Sequence, residues 1–302
     1  SIYIFEREGK GNYDSLQMLF RTRFMKRNSF QAAYTYSRSL ADFGLNDSSG
    51  SSSAFAVLDR TNRGLDLAES DINRPHIFVA NAIFNLPEFK DQNKFVQTAL
   101  GGWEFASIIQ ISSGTSLTPN LNATGIAFLR DLNDPASNQS LSGGITGLGT
   151  GVANQRPIRV ASEPCYLNGA KGAFFNPKAW TLVGYKIGET IPTKSTCLGP
   201  PTRNVDFSIY KNFAPNWLTK SFLGEQARVQ FRLEMFNAFN TVNFRGELPI
   251  TYYNGVVSCG NAICSQTNNT ITSIKNSVEP NFGVANRTKG AREIQYAFKI
   301  YF

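Results

Sequence analysis

No stretch of the 302 residues comes near the ~18 consecutive apolar side chains of a membrane-spanning helix. That absence excludes a helical membrane protein. It leaves a membrane barrel open, because barrel strands alternate and average out as hydrophilic, and the mean hydropathy here is −0.24. Histidine is almost missing. His76 is the only one, so any serine–histidine or cysteine–histidine relay would have to run through it. It sits in RPHIF, the setting of an ordinary loop or interface residue. No glycine-rich phosphate loop and no paired-carboxylate arrangement stands out. The four cysteines, Cys165, Cys197, Cys259 and Cys264, contain no CxxC pair and lie far from His76 in sequence, which argues against zinc. No enzyme is therefore expected, and no catalytic, cofactor or metal residue. The chain opens at Ser1 inside an alternating run, SIYIFERE, with no initiator Met and no visible signal peptide. It reads as a piece of a longer protein that starts within a domain.

Aromatics are abundant: 13% of residues, with 24 Phe and 11 Tyr. The net charge is +8, but the basic residues are spread along the chain, which argues against nucleic acid. The last nine residues show how the aromatics are used. Ile294, Tyr296, Phe298, Ile300 and Phe302 alternate with Gln295, Ala297, Lys299 and Tyr301. A period of two gives a strand with one apolar and one polar face, and the chain stops on an aromatic, as a strand does at a bilayer interface.

The same alternation recurs upstream. A first strand is expected at Ile2–Glu8. In 15–24, Leu16, Met18, Phe20 and Phe24 oppose Arg21 and Arg23. In 29–37, Phe30, Ala32, Tyr34 and Tyr36 share a face. A hairpin pairing Phe24 with Phe30, Phe20 with Tyr34 and Met18 with Tyr36 keeps the apolar face continuous, with Asn28 as the left-handed turn residue. Ile77–Leu86 follows with Phe78, Ala80, Ala82, Phe84 and Leu86 outward, then 103–112 with Trp103, Phe105, Ile109 and Ile111 opposite Glu104. Val205, Phe207 and Ile209 oppose Asp206, and Val229, Phe231, Leu233 and Met235 oppose Arg228, Arg232 and Glu234.

Two features favour a membrane barrel over a soluble β-sandwich. The connections alternate short and long, with polar stretches at about 39–74, 113–203 and 237–290. Outer-membrane barrels have that order, with short periplasmic turns and long extracellular loops. The charges Arg21, Arg23, Glu104, Asp206, Arg228, Arg232, Glu234 and Lys299 all sit mid-strand on the polar face. A wet lumen accommodates them at low cost, whereas a sandwich core would not. Arg232 and Asp206 are candidates for a salt-bridge ladder within that wall. The expected architecture is all-β: an antiparallel up-and-down transmembrane β-barrel segment of about eight strands with long extracellular loops. The four cysteines lie in polar segments, the setting of disulfides in an oxidising compartment. Of the three possible pairings, 165–197 and 259–264 each close a loop within one segment.

Several stretches resemble the carboxy-terminal barrel of TonB-dependent receptors, in particular the Oar-like group. They are YDSLQMLFRTRF…FQAAYTYSRSL, DINRPHIFVANAIFNLP, LGGWEFASIIQISSGTSLTP, FFNPKAW, GPPTRNVDFSIYKNF, VQFRLEMFNAFNTVNF and NFGVANRTKGAREIQYAFKIYF. Together they cover nearly all of 1–302 in the family's order. The resemblance implies a 22-stranded outer-membrane barrel of which this chain is the last third, with the plug domain, the TonB box and the leading strands not among its residues. It implies uptake of a ligand across the outer membrane. The family carries iron chelates, cobalamin, sugars and peptides, and no residue here selects among them. The expected partners are outer-membrane lipid, the plug, TonB through the part ahead of Ser1, and the barrel assembly machinery. The last of these would read Tyr296, Phe298, Ile300 and Phe302. The alternative is a small complete eight-stranded adhesin or pore-like barrel, which requires the strand at Ile2 to pair with the last one.

Overall fold

The computed structural model describes residues 9–25, 27–42, 62–87, 89, 91–122, 156–167, 174–186, 190, 192–213, 228–245, 248, 250–254, 257–258, 270–274 and 278–302. The expected strand at Ile2–Glu8 and the cysteines Cys259 and Cys264 lie outside these residues.

The chain begins with two fourteen-residue strands, β1 (Gly11–Phe24) and β2 (Asn28–Ala41). A two-residue β3 (Ala68–Glu69) precedes β4 (His76–Asn85). Helix α1 (Lys94–Leu100) leads into β5 (Trp103–Ser112). Five short strands follow: β6 (Ser116–Leu117), β7 (Asn120–Asn122), β8 (Ile158–Arg159), β9 (Trp180–Thr181) and β10 (Cys197–Leu198). Then come β11 (Thr202–Phe213) and β12 (Arg228–Phe236). After β13 (Thr251–Asn254), β14 (Val257–Ser258) and β15 (Ser273–Ile274), β16 (Glu293–Tyr301) closes the chain.

Seven long strands form one antiparallel meander, β1-β2-β4-β5-β11-β12-β16, with β3 added beside β2 to make eight strands in the sheet. Each long strand neighbours the next long strand in sequence, and among the described residues the sheet does not close: β1 and β16 are its two edges. Among the described residues no helix is long and apolar enough to cross a membrane.

The first hairpin differs from its expected register by one pair. Thr22 lies opposite Phe30 and Phe24 opposite Asn28, so Phe20 meets Ala32, Met18 meets Tyr34 and Leu16 meets Tyr36. Parity is unchanged, so the faces are as expected. The turn residue differs too. Met25 takes the left-handed conformation, φ 49°, because Asn28 is engaged elsewhere: its buried Oδ1 accepts the Asn85 N–H of β4 at 2.7 Å. A shift of one pair frees Asn28 to tie the hairpin to the third wall strand, and Asn85 Nδ2 completes the tie by donating to Arg27 O.

The link after β4 holds an unexpected helix. Asn93 caps α1 by accepting the Val96 N–H. The carbonyls at its other end are satisfied from the wall: Trp103 Nε1 donates to Ala99 O at 2.8 Å, and Lys211 Nζ donates to Thr98 O at 2.7 Å and to Gly101 O. Gly102 (φ 73°) must be glycine, because a Cβ there would lie 2.5 Å from Asn212 O.

The main hydrophobic core is not in the sheet. It is built from the second and third long connections, around Phe175, Trp180, Leu182, Tyr185, Ile271 and Phe282, each at most 2% exposed.

Candidate functional site

Register decides what the wall presents. Glu104 lies opposite Tyr210, Tyr210 opposite Arg232 and Arg232 opposite Ala297. Following the pairs across all seven long strands puts Arg21, Arg23, Glu104, Asp206, Arg228, Arg232, Glu234 and Lys299 on one face. The opposite face is apolar from edge to edge. Leu16, Met18, Phe20 and Phe24 stand on it at one edge, and Ile294, Tyr296, Phe298 and Ile300 at the other, all exposed. Phe231 and Phe298 face each other across β12 and β16 with ring centroids 5.2 Å apart.

The polar face carries a network rather than a salt-bridge ladder. The Arg232 guanidinium lies 5.2 Å over the Tyr210 ring and donates to Tyr301 Oη at 3.1 Å and to Gln230 Oε1. Tyr210 Oη donates to Glu234 Oε1 at 3.1 Å, and Arg228 lies 4.8 Å over the Tyr301 ring. The expected Arg232–Asp206 pair does not form. Asp206 is four residues further along β11 than the partner of Arg232, about 13 Å at ~3.3 Å per residue. Instead Asp206 Oδ1 accepts the Asn237 N–H at 2.9 Å and Asn204 Nδ2 at 2.8 Å, anchoring the turn that leaves β12. Among the described residues, none of the eight face charges forms an ion pair.

That turn is built on asparagines spaced by three. Asn237 and Asn240 adopt left-handed φ of 50° and 51°, which asparagine tolerates better than most residues. Asn237 exchanges hydrogen bonds with the Thr241 backbone, Asn240 Oδ1 accepts the Arg292 N–H, and Asn243 brackets Arg203 by accepting its N–H and donating to its carbonyl. FNAFNTVNF is thus a staple binding the ends of β11, β12 and β16.

At the same end of the sheet the long connections fold into a cap. Phe282 packs edge-on against Trp180 (5.4 Å) and Tyr252 (5.2 Å), and Phe175 lies 5.7 Å from Trp180. Arg159 lies over Trp180 at 5.5 Å. Gly283 (φ 65°) passes so close to Phe175 that a Cβ would stand 2.4 Å from that residue's Cβ. A disulfide joins Cys165 to Cys197 across a separation of 32 residues, with Cys197 buried in the cap core. Burial pushes the Tyr252 hydroxyl up to about 12 and raises Tyr185 further, so neither ionises at neutral pH. The cap was not expected from the polar composition of these segments. Its signal was the cluster Phe174, Phe175, Trp180 inside one of them.

The first long connection is latched to the cap by charge. Arg156 pairs with Asp66 and also donates to Leu65 O at 3.2 Å, and Lys194 Nζ lies 3.8 Å from Asp71. Burial lowers the pKa of Lys194, with Arg156 adding repulsion and Asp71 and Asp66 opposing. A second latch holds Asp42, which accepts Arg63 Nε at 2.9 Å and the Lys10 N–H at 2.7 Å. Burial alone would raise its pKa, but those contacts outweigh it and leave the carboxyl below its ordinary value.

His76 starts β4 on the apolar face, with Nδ1 2.8 Å from Tyr34 Oη and its ring 5.3 Å from Tyr36. Among the described residues no group of three or more metal-ligating side chains forms.

A family profile described as an outer membrane beta barrel domain matches residues 1–295. The chain belongs to that family. No curated protein and no solved structure matches it. Membership places the chain in the bacterial outer membrane and accounts for the dimensions of this barrel wall. Leu16 to Phe24 on β1 is eight steps, about 27 Å along the strand. At the ~40° tilt of such strands this is ~20 Å of height, close to the ~25 Å apolar band of outer-membrane barrels. The carboxy terminus lies at the short-connection end, since Tyr301 pairs with Arg228, the first residue of β12.

Proposed function

We propose that this chain is the carboxy-terminal wall of a TonB-dependent receptor of the Oar-like group, serving ligand uptake across the outer membrane and carrying out no covalent chemistry itself. The plug and TonB act through polypeptide ahead of Ser1, and the assembly machinery reads Tyr296, Phe298, Ile300 and Phe302. The polar face lines the lumen, the cap is extracellular, and the carboxy terminus is periplasmic.

The observation that carries this reading is the set of eight charges sharing one face with no ion pair among the described residues. The interior of an eight-stranded barrel is just wide enough to be filled by side chains. Charges packed there with no opposite charge beside them would be costly. A wide, wet lumen containing a plug leaves them solvated or gives them partners on the plug. The alternative, a complete eight-stranded adhesin or pore-like barrel, has no such outlet for them.

The test uses the full-length polypeptide from outer membranes. It should be retained on the immobilised periplasmic domain of TonB. A photo-crosslinking residue at Arg232 should capture a segment of the same polypeptide that precedes Ser1. No retention, together with steady passive conductance in planar bilayers, would overturn the reading in favour of the pore.

A further inference from the structure

Five basic residues, distant in sequence, converge where the asparagine staple closes the outer end of β11, β12 and β16. Arg245 N donates to Arg287 O at 2.9 Å, Lys289 N to Asn243 O at 2.7 Å, and Arg292 N to Asn240 Oδ1, while Asn243 holds both backbone groups of Arg203. Phe244 and Thr288 bridge the two chain segments between them. All five side chains are exposed. Lys289 Nζ reaches Thr202 Oγ1, and no carboxylate among the described residues pairs with any of the five. Glu293, the next acid in sequence after Lys289, belongs to the polar face of β16, since its partner Phe236 has the parity of Arg232 and Glu234.

The position of this cluster matters as much as its charge. Arg292 is two residues beyond Ile294 on the apolar face of β16, and Arg203 two residues beyond Val205 on that of β11. Both therefore stand at the upper rim of the apolar band, where long basic side chains reach to the headgroup layer. Beside them Phe239 is 76% exposed and Val242 65% exposed, at the depth where apolar and aromatic side chains anchor a barrel. A cationic rim with no ion pair among the described residues, directly above a lipid-facing band and flanked by exposed apolar tips, is complementary to an anionic lipid headgroup.

We propose that Arg203, Arg245, Arg287, Lys289 and Arg292 form a docking surface for the phosphorylated headgroup of an outer-leaflet glycolipid. Phe239 and Val242 rest against its acyl region. The surface holds this sector of the wall at fixed depth and fixes the staple from outside. The inference rests on the orientation proposed above, with the long connections outward.

The test uses full-length protein, purified from outer membranes and incorporated into nanodiscs containing either the phosphorylated glycolipid or the same lipid after enzymatic dephosphorylation. Retained lipid is counted by native mass spectrometry. The protein should keep the phosphorylated form selectively. The variant Arg203→Gln/Arg287→Gln/Lys289→Gln/Arg292→Gln should lose it, by roughly fivefold per charge at low ionic strength. The corresponding Arg→Lys variant should keep it, which separates loss of charge from loss of fold. Equal retention of the two lipids, or equal retention by native and glutamine proteins, would overturn the proposal. So would full competition by inorganic phosphate at millimolar concentration, which would mark a free-anion site instead. Orientation is read separately, from labelling on intact cells by an impermeant maleimide of Val183→Cys, a half-exposed position on the cap away from the proposed lipid contact. If that label fails, the orientation falls and the outer-leaflet docking surface falls with it; if the label succeeds and lipid selectivity is absent, the docking surface alone falls.

Discussion

Replacing Trp180 with alanine should melt the cap and leave the wall standing. Trp180 is 2% exposed and packs against Phe175, Phe282 and the Arg159 guanidinium, while its carbonyl accepts the Tyr252 hydroxyl at 2.6 Å. Truncating a buried tryptophan to alanine costs about 3–5 kcal/mol. The Cys165–Cys197 cross-link, closing 32 residues, contributes about 3.5 kcal/mol by loop entropy, so the substitution removes about as much as the disulfide supplies. None of the core side chains around Trp180 comes from a wall strand, so the loss falls on the local opening of the cap and not on the sheet. Hydrogen exchange on the full-length protein in nanodiscs should show protection at 174–185 and 278–285 falling by about a thousandfold, the equivalent of ~4 kcal/mol. Exchange in β11, β12 and β16 should hold, as should the heat-dependent gel shift of the folded barrel. Equal loss of protection in cap and wall would refute the separation of the two. Unchanged protection in the cap would refute its core.

Four further outcomes are expected. Single cysteines at Phe231 and Phe298 should react with a lipid-soluble reagent in membranes, and those at Arg232 and Lys299 with a water-soluble one; identical reactivity would mean that the faces are misassigned. Deleting Phe302 from the full-length protein should slow insertion far more than it lowers the stability of inserted barrel, measured by pulse-chase and by denaturant titration; normal insertion kinetics would remove the assembly-signal reading. Reducing Cys165–Cys197 should raise protease sensitivity of the second long connection without dissociating the wall strands, and peptide mapping that finds Cys165 bonded to Cys259 would contradict the observed pairing. Asp42, held below its ordinary pKa, stabilises its latch at neutral pH, and that contribution is lost as the pH falls through its lowered value. Proteolysis around 62–66 should therefore rise in acid for the native protein and be high at every pH in Asp42→Asn.

The alternation of apolar and polar residues was enough, by itself, to place the seven long strands among the described residues and to sort their side chains onto two faces. A period of two survives any shift of register by a whole pair, which is why Phe20 and Phe24 stand on the expected side although the first hairpin pairs Thr22 with Phe30. For the same reason the eight mid-strand charges could be assigned to one face before any pairing was known. Alternation says nothing about height along the neighbouring strand, so Arg232 opposite Tyr210, with Asp206 about 13 Å away, was settled only by the register. The cap was hidden because its core draws Leu121, Trp180, Tyr252, Ile271 and Phe282 from separate polar stretches with no period linking them. Helix α1 was hidden because it is seven residues long and depends on Trp103 and Lys211 from the wall for its last carbonyls. The basic rim is the plainest case. Arg203, Arg245, Arg287, Lys289 and Arg292 look scattered along the chain, and only the hydrogen bonds of Asn240 and Asn243 and the strand contacts between 243–245 and 287–289 bring them to one end of the sheet. Local periodicity belongs to the sequence, while the convergence of distant residues belongs to the folded chain.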